Sequence, residues 1–131
     1  MPDRSDDWMS QAERDLEHAR KDAVDKYYEH SCFGAQQAAE KAVNALYLRL
    51  KSEGWGHRVG LLLGELSSLG IQTPPALVDD GKILDQFYVP ARCPNGFESG
   101  APKDFFTEAQ AADAVQRAQN ILQWCKDLRS P

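Results

Sequence analysis

Arg92 stands out first among the side chains able to do chemistry. It lies in a stretch, from about Val89 to Phe106, that carries three prolines, two glycines, Asn95 and Ser99. Structureless stretches longer than about 12–15 residues are uncommon in compact domains and are often functional. A guanidinium there offers a planar fork for a phosphate, whether of a nucleotide or of RNA. It is equally placed to cap the last carbonyls of a preceding helix. Asp85 and Tyr88 sit three residues apart near the end of that helix, where they could orient Arg92 across one turn. Each also has an ordinary reading, Asp85 as a helix-surface acid and Tyr88 as a core ring with its hydroxyl at the rim. Asn95, next to Gly96, reads as a ligand contact or as a turn residue.

Other polar groups are spread along the chain. His57 follows Trp55-Gly56 at the start of a helix, where it could bind an anion or a proton, or simply cap or pack. Gln37, Lys41 and Asn44 recur at i, i+4 and i+7, giving either a polar groove or a solvated or subunit-contact face. Trp55, between glycines, could stack on a ligand, meet another subunit or anchor its loop. Cys32, Cys93 and Cys125 are odd in number and far apart, with no Cys-x-x-Cys, and read as reduced thiols. His18, His30 and His57 are as scattered. No metal site or cofactor is expected from these spacings.

The elements that must position these groups all read as helices. The first spans about Ser5 to Val24, with an apolar stripe of Trp8, Ala12, Leu16, Ala19 and Ala23 and a cap at Ser5 or Asp6. Glu17–Lys21 and Asp22–Lys26 are i, i+4 pairs on its wet side. The second spans about Tyr28 to Ser52, with Gly54 as the stop. Its stripe of Cys32, Ala35, Ala39, Ala42, Val43, Leu46 and Leu50 is mostly small, which lets a neighbour approach closely. The third runs from His57 to Leu69 with Leu62, Leu63, Leu66 and Leu69 inward, and Gly70 ends it. Thr73-Pro74-Pro75 opens the fourth, where Leu77, Gly81, Leu84 and Tyr88 share a face and Pro90 and Pro94 end the run. Thr107-Glu108-Ala109-Gln110 is a capping-box pattern that opens the last helix. That helix buries Ala111, Ala114, Val115, Ala118, Ile121, Leu122, Cys125 and Leu128, and Trp8 and Trp124 read as core. No segment alternates at period two, so the expected fold is all-α, an antiparallel up-and-down helical bundle of about five helices.

Composition bounds the rest. The 131 residues suit one domain, expected over 1–131, and can bury roughly two-thirds of the unfolded surface. No run approaches the roughly 20 apolar residues that span a bilayer. The opening Met-Pro-Asp-Arg-Ser-Asp-Asp lacks the basic flank and apolar stretch of a signal peptide, so a cytoplasmic location is expected. A net charge of −5 argues against non-specific wrapping of nucleic acid but leaves room for a local phosphate site.

Three stretches together resemble the HEPN domain, the higher-eukaryote and prokaryote nucleotide-binding family. They are Trp8 and Ala12 through Leu16-Glu17-His18-Ala19; Tyr27-Tyr28 with Ser31-Cys32-Phe33-Gly34-Ala35-Gln36-Gln37-Ala38-Ala39-Glu40-Lys41-Ala42; and Leu84-Asp85-Gln86-Phe87-Tyr88-Val89-Pro90-Ala91-Arg92-Cys93-Pro94-Asn95. The last is similar to the family's LD-x-x-Y-I-P-T-R-Y-P-D segment, with Cys93 and Asn95 in place of Tyr and Asp. Gly56-His57 before a leucine-rich helix, and the C-terminal helix with Trp124, also fit. The resemblance implies a bundle related to the substrate-binding, helical part of kanamycin-type nucleotidyltransferases. It implies a homodimer, and pairing with a minimal nucleotidyltransferase in prokaryotic toxin–antitoxin-like or nucleotide-binding systems. Many members are metal-independent ribonucleases with an Arg followed, after four to six residues, by a His. Here Arg92 is followed by Cys93, Pro94, Asn95, Gly96, Phe97, Glu98 and Ser99, with no His. Arginine holds phosphate but does not exchange protons near neutral pH. The expected role is therefore binding and interaction with a nucleotidyltransferase partner. The alternatives are a ribonuclease using Arg92 with Tyr88, His57 or Asp85, a stand-alone nucleotide-binding module, or a dimeric scaffold. Arg92, Asp85, Tyr88, Asn95, His57 and Lys41 are the candidate phosphate ligands.

Overall fold

Five α-helices are present among the residues described by the computed structural model, which are 3–54, 56–88 and 91–129. They are α1 (Ser5–Val24), α2 (Tyr28–Arg49), α3 (Val59–Glu65), α4 (Pro75–Asp85) and α5 (Glu108–Arg129). A 3-10 turn over Leu66–Leu69 extends α3. None of these helices is long and apolar enough to cross a membrane. The all-α helical bundle read from the periodicity is the fold observed.

α1 and α2 form a close helical hairpin. A Cβ added at Gly34 would lie 3.3 Å from that of Ala19, and Ser31 Oγ donates to the Ala19 carbonyl at 2.7 Å. α5 packs along α2 and touches α1, while α3 and α4 pack on each other, with α4 also against α5. The core is rich in alanine, with Leu46, Leu62, Leu63, Leu66, Leu84 and Ile121 as its largest aliphatics.

Several local expectations are corrected. In α1 the buried stripe is Met9, Ala12, Leu16 and Ala19, one position round from Trp8, which is 40% exposed. The amide of Ser5 is capped by Asp3 Oδ1 at 2.7 Å, so neither Ser5 nor Asp6 is the cap. Ser5 is buried and its hydroxyl accepts from Arg129 instead. Asp22 faces His18, and Glu17 faces Arg14. α2 ends at Arg49, before Ser52, because Lys51 takes up a left-handed φ of 62°. Leu69 and Leu128 are exposed and Trp124 is half-buried, since each lies at the rim of its stripe. The expectations for Trp55 and Pro90 fall outside the described residues.

Other expectations hold. Gly70 closes the α3 extension with φ 84°, and Pro75 opens α4. Thr107 and Gln110 form the reciprocal capping box: the Thr107 amide donates to Gln110 Oε1 at 2.9 Å and the Gln110 amide to Thr107 Oγ1 at 3.1 Å.

The connection before α5 is more ordered than its composition promised. Short 3-10 turns occupy Pro94–Gly96 and Pro102–Asp104. Phe97 stacks on Phe105 with centroids 4.2 Å apart, and Phe106 meets Phe87 edge-on at 5.7 Å. This small aromatic cluster holds the segment that carries Arg92 against the bundle.

α4 is pinned to α5 by Asp80. Its carboxylate is almost buried and accepts from Arg117 Nη1 at 2.8 Å and Asn120 Nδ2 at 3.3 Å.

Candidate functional site

Arg92 follows α4, and its Nε donates to the Tyr88 carbonyl at 2.9 Å. That carbonyl lies three residues past the end of α4, so Arg92 ties down the turn after the helix and does not cap the helix's last carbonyls, and it engages only one nitrogen. The guanidinium carbon lies 4.5 Å from the centre of the Tyr88 ring and 5.3 Å from that of Phe33. Such cation–π contacts hold a guanidinium flat without consuming its N–H donors. Among the described residues no carboxylate pairs with Arg92. Arg4, Arg14, Arg49, Arg117 and Arg129 each have an acidic partner, and Arg20 has Gln119. Among the described residues Arg20 and Arg58 likewise have no carboxylate partner. Arg92 is thus an oriented cation whose Nη groups remain available.

The bundle brings His57 to the same ring. The His57 and Tyr88 centroids are 4.8 Å apart, with planes tilted by 33°. His57 Nδ1 lies 2.9 Å from Glu40 Oε1. Glu40 projects from α2 and is 8% exposed, whereas the His57 side chain is 62% exposed. The backbone at His57 is fixed as well, because Gln36 Nε2 donates to its carbonyl at 3.0 Å. An imidazole donating Nδ1–H to a carboxylate keeps Nε2 as an acceptor, and a protonated one gains an adjacent counter-charge. Arg92, Tyr88, His57 and Glu40 therefore form one constellation: a cation, a ring, an exposed imidazole and a buried acid.

The remaining candidates fall elsewhere. Asp85 turns to α3, where its two carboxylate oxygens accept from the Val59 amide at 2.8 Å and the Gly60 amide at 3.0 Å. It orients the His57 end of α3 rather than the Arg92 side chain. Lys41 pairs with Asp15 at 2.5 Å across α1 and α2. Gln37 donates to Gln36 Oε1 at 2.8 Å and Asn44 to the Glu40 carbonyl at 3.0 Å, so the polar stripe is tied into the bundle. Asn95 is exposed within the Pro94–Gly96 turn.

Glu40 and Gln36 were not singled out by sequence. Their signal was present: both fall inside the buried sector of α2, among Ala35, Ala39 and Val43. A carboxylate there demands a partner, because burial of an unpaired charge is costly.

The cysteines take no part. Burial pushes the Cys32 and Cys125 thiols up to about 12. Among the described residues no three His, Cys, Asp or Glu side chains gather to hold a metal.

The HEPN domain family model matches residues 5–128. Among solved structures, TT1696 from Thermus thermophilus is 35% identical with a TM-score of 0.92, over 96% of this chain and 98% of its own. ST0689, an archaeal HEPN homologue, is 38% identical with a TM-score of 0.81, over 99% and 100%. An HEPN domain protein of Thermotoga maritima, tm0613, is 37% identical with a TM-score of 0.74, over 92% and 95%. No curated protein matches.

Proposed function

This chain belongs to the HEPN family, and we propose that it is a phosphate- and nucleotide-binding helical protein, dimeric over a single domain, that partners a minimal nucleotidyltransferase. The observation that carries the binding role is Arg92: it is held flat over Tyr88 and Phe33, bound through Nε alone, with its Nη groups free for a phosphate. His57 stands on the same ring and adds a second donor when protonated. The nucleotidyltransferase partner and the homodimer rest on the family resemblance, and a cytoplasmic site of action goes with them. Calorimetry with nucleotides tests the binding role. The wild type should bind, and Arg92→Ala should lose at least tenfold in affinity with its helical signal intact. Equal affinity would remove Arg92 from the site. Co-expression with the nucleotidyltransferase of an adjacent gene tests the partnership, and separate elution of the two would refute it. A monomeric mass in light scattering at micromolar protein would refute the dimer.

The His57–Glu40 pair favours a second reading, a metal-independent ribonuclease. The proton acceptor missing after Arg92 in the sequence would then be supplied by the fold. His57 Nε2 would take the proton of a ribose 2′-hydroxyl, whose oxygen attacks the adjacent phosphorus. The bond to the 5′-oxygen breaks, leaving a cyclic phosphate; the departing 5′-oxygen takes a proton from water, His57 returns its own to solvent, and Arg92 stabilises the charge that develops on the phosphoryl oxygens. RNA degradation by wild type, lost in both His57→Ala and Arg92→Ala, would support it. No degradation by the wild type, alone or freed of its partner, would end it.

A further inference from the structure

A groove of about 280 Å³ lies between α3 and α4. Its floor is aliphatic and small, with Gly60, Leu61 and Gly64 from α3 and Val78 from α4. Arg58, at the start of α3, and Lys82, from α4, line it, and so does Glu65, the last residue of α3. We propose that a partner protein docks in this groove through a segment that sets an aliphatic side chain on Leu61 and Val78 and a carboxylate between Arg58 and Lys82. The inference rests on the reading of this chain as one half of a protein pair, and it specifies the face and the chemistry of that contact.

Three observations point to such a segment. First, two cations in the groove are unspent. Among the described residues neither Arg58 nor Lys82 has a carboxylate partner. Asp85 lines the same groove, but its two oxygens are committed to the Val59 and Gly60 amides at 2.8 and 3.0 Å. A Cβ added at Gly60 would lie 2.8 Å from Lys82 Cγ, so the lysine stem is laid against α3 two residues from Arg58. Elsewhere Lys41, Arg117 and Arg129 are each answered by an acid of this chain. Here the answering carboxylate has to come from outside.

Second, the floor is uncovered. Leu61 is 44% exposed, and a Cβ at Gly64 would meet nothing within 4 Å. An aliphatic floor with charge at its rim is the arrangement found at protein–protein contacts.

Third, the lining favours a protein over a nucleic acid. Among the described residues no aromatic ring lines the groove for a base to stack on, and the carboxylates of Asp85 and Glu65 repel a phosphate strand. Glu65 also sets the direction of the segment. It opposes a second acid at the end of α3, so the partner's carboxylate lies at the Arg58 end.

Co-expression of the full chain with the nucleotidyltransferase of the adjacent gene tests the proposal. The wild type should elute with that protein. A carbodiimide, which condenses an amine with a carboxylate in contact with it, should couple Lys82 to an Asp or Glu of the partner, read by peptide mass. Arg58→Glu with Lys82→Glu should weaken the complex at least tenfold at an unchanged melting temperature, since both positions are exposed. Arg58→Lys with Lys82→Arg, which keeps both charges, should restore it. If the complex forms and the charge-reversed chain binds as tightly as the wild type, the groove is the wrong face while the partnership stands. If the two proteins do not associate, both readings fail. If charge reversal instead lowers the mass of this chain alone in light scattering, the groove joins two copies and the proposed occupant is wrong. If it weakens only the binding of a short single-stranded RNA in fluorescence anisotropy, the occupant is nucleic acid and the proposal is equally overturned.

Discussion

α1 and α2 run 20 and 22 residues and meet so closely that Gly34 has barely room for a methyl against Ala19, whereas α3 and α4 run only 7 and 11 residues. Helices of the second kind do not stand by themselves in water, because nucleation is costly and few bonds follow it. The long pair is held along continuous buried faces. The short pair is held by discrete attachments: Asp85 to two amides of α3, the Tyr47 hydroxyl to the Leu62 carbonyl at 2.5 Å, Thr73 Oγ1 to the Leu63 carbonyl at 2.6 Å, and a backbone contact between Gly60 and Gly81. Arg92, Tyr88 and His57 all belong to the short-helix side, and Glu40 is the reach of the long side into it. The frame and the site are thus stabilised by different physics, one by distributed burial and the other by a few directional contacts.

The contrast can be broken most strongly at Gly81. A Cβ there would come within 2.7 Å of the Gly60 amide nitrogen, which is backbone and cannot swing aside. Gly81→Ala should cost roughly 3 kcal/mol, more than the roughly 1 kcal/mol gained in helix propensity. Amide exchange should speed up in α3 and α4 before α1 and α2. Uniform loss of protection would erase the distinction between the two sides. Next in size is Asp85→Ala, which removes the acceptor of two amides and should cost roughly 1–2 kcal/mol in a denaturant melt. An unchanged midpoint would show that the cap does not hold α3.

The smallest effect concerns the thiols. Cys32 lies in α2 and Cys125 in α5, where burial first, with Asp113 and Glu29 adding to it at Cys32, pushes both up to about 12. They remain protonated at pH 8, and the thiolate is the reactive form. Cys93 sits half-buried in the connection beside Arg92. A thiol-disulfide reagent should modify Cys93 quickly and the other two only as fast as the helices open. Three equally fast thiols would mean that α2 and α5 open as readily as the loop.

The same division explains what could be read from the sequence. The long helices were legible because i, i+3, i+4 spacing over many residues averages out single errors. Trp8 was misplaced by one position without disturbing the boundaries of α1, since Met9 continues the same stripe. The capping box at Thr107 was legible because it is local. Arg92 and Tyr88 were legible as a pair four residues apart. The His57–Glu40 contact was not, because it spans 17 positions and depends on how the connection after α2 returns to the bundle. Asp85 was given the wrong partner for the same reason: its cap lies 25 and 26 residues upstream, on a different helix.

Asp80 has a consequence for the order in which the molecule can be made. Its carboxylate sits almost buried on α4 and finds its donors, Arg117 and Asn120, only on α5. Until the last helix has left the ribosome, α4 presents an unanswered charge on the face that must enter the core. Burying it then would cost several kcal/mol, so α4 stays unseated during synthesis. The arginine that follows α4 therefore takes up its place on Tyr88 and Phe33 at the end of folding.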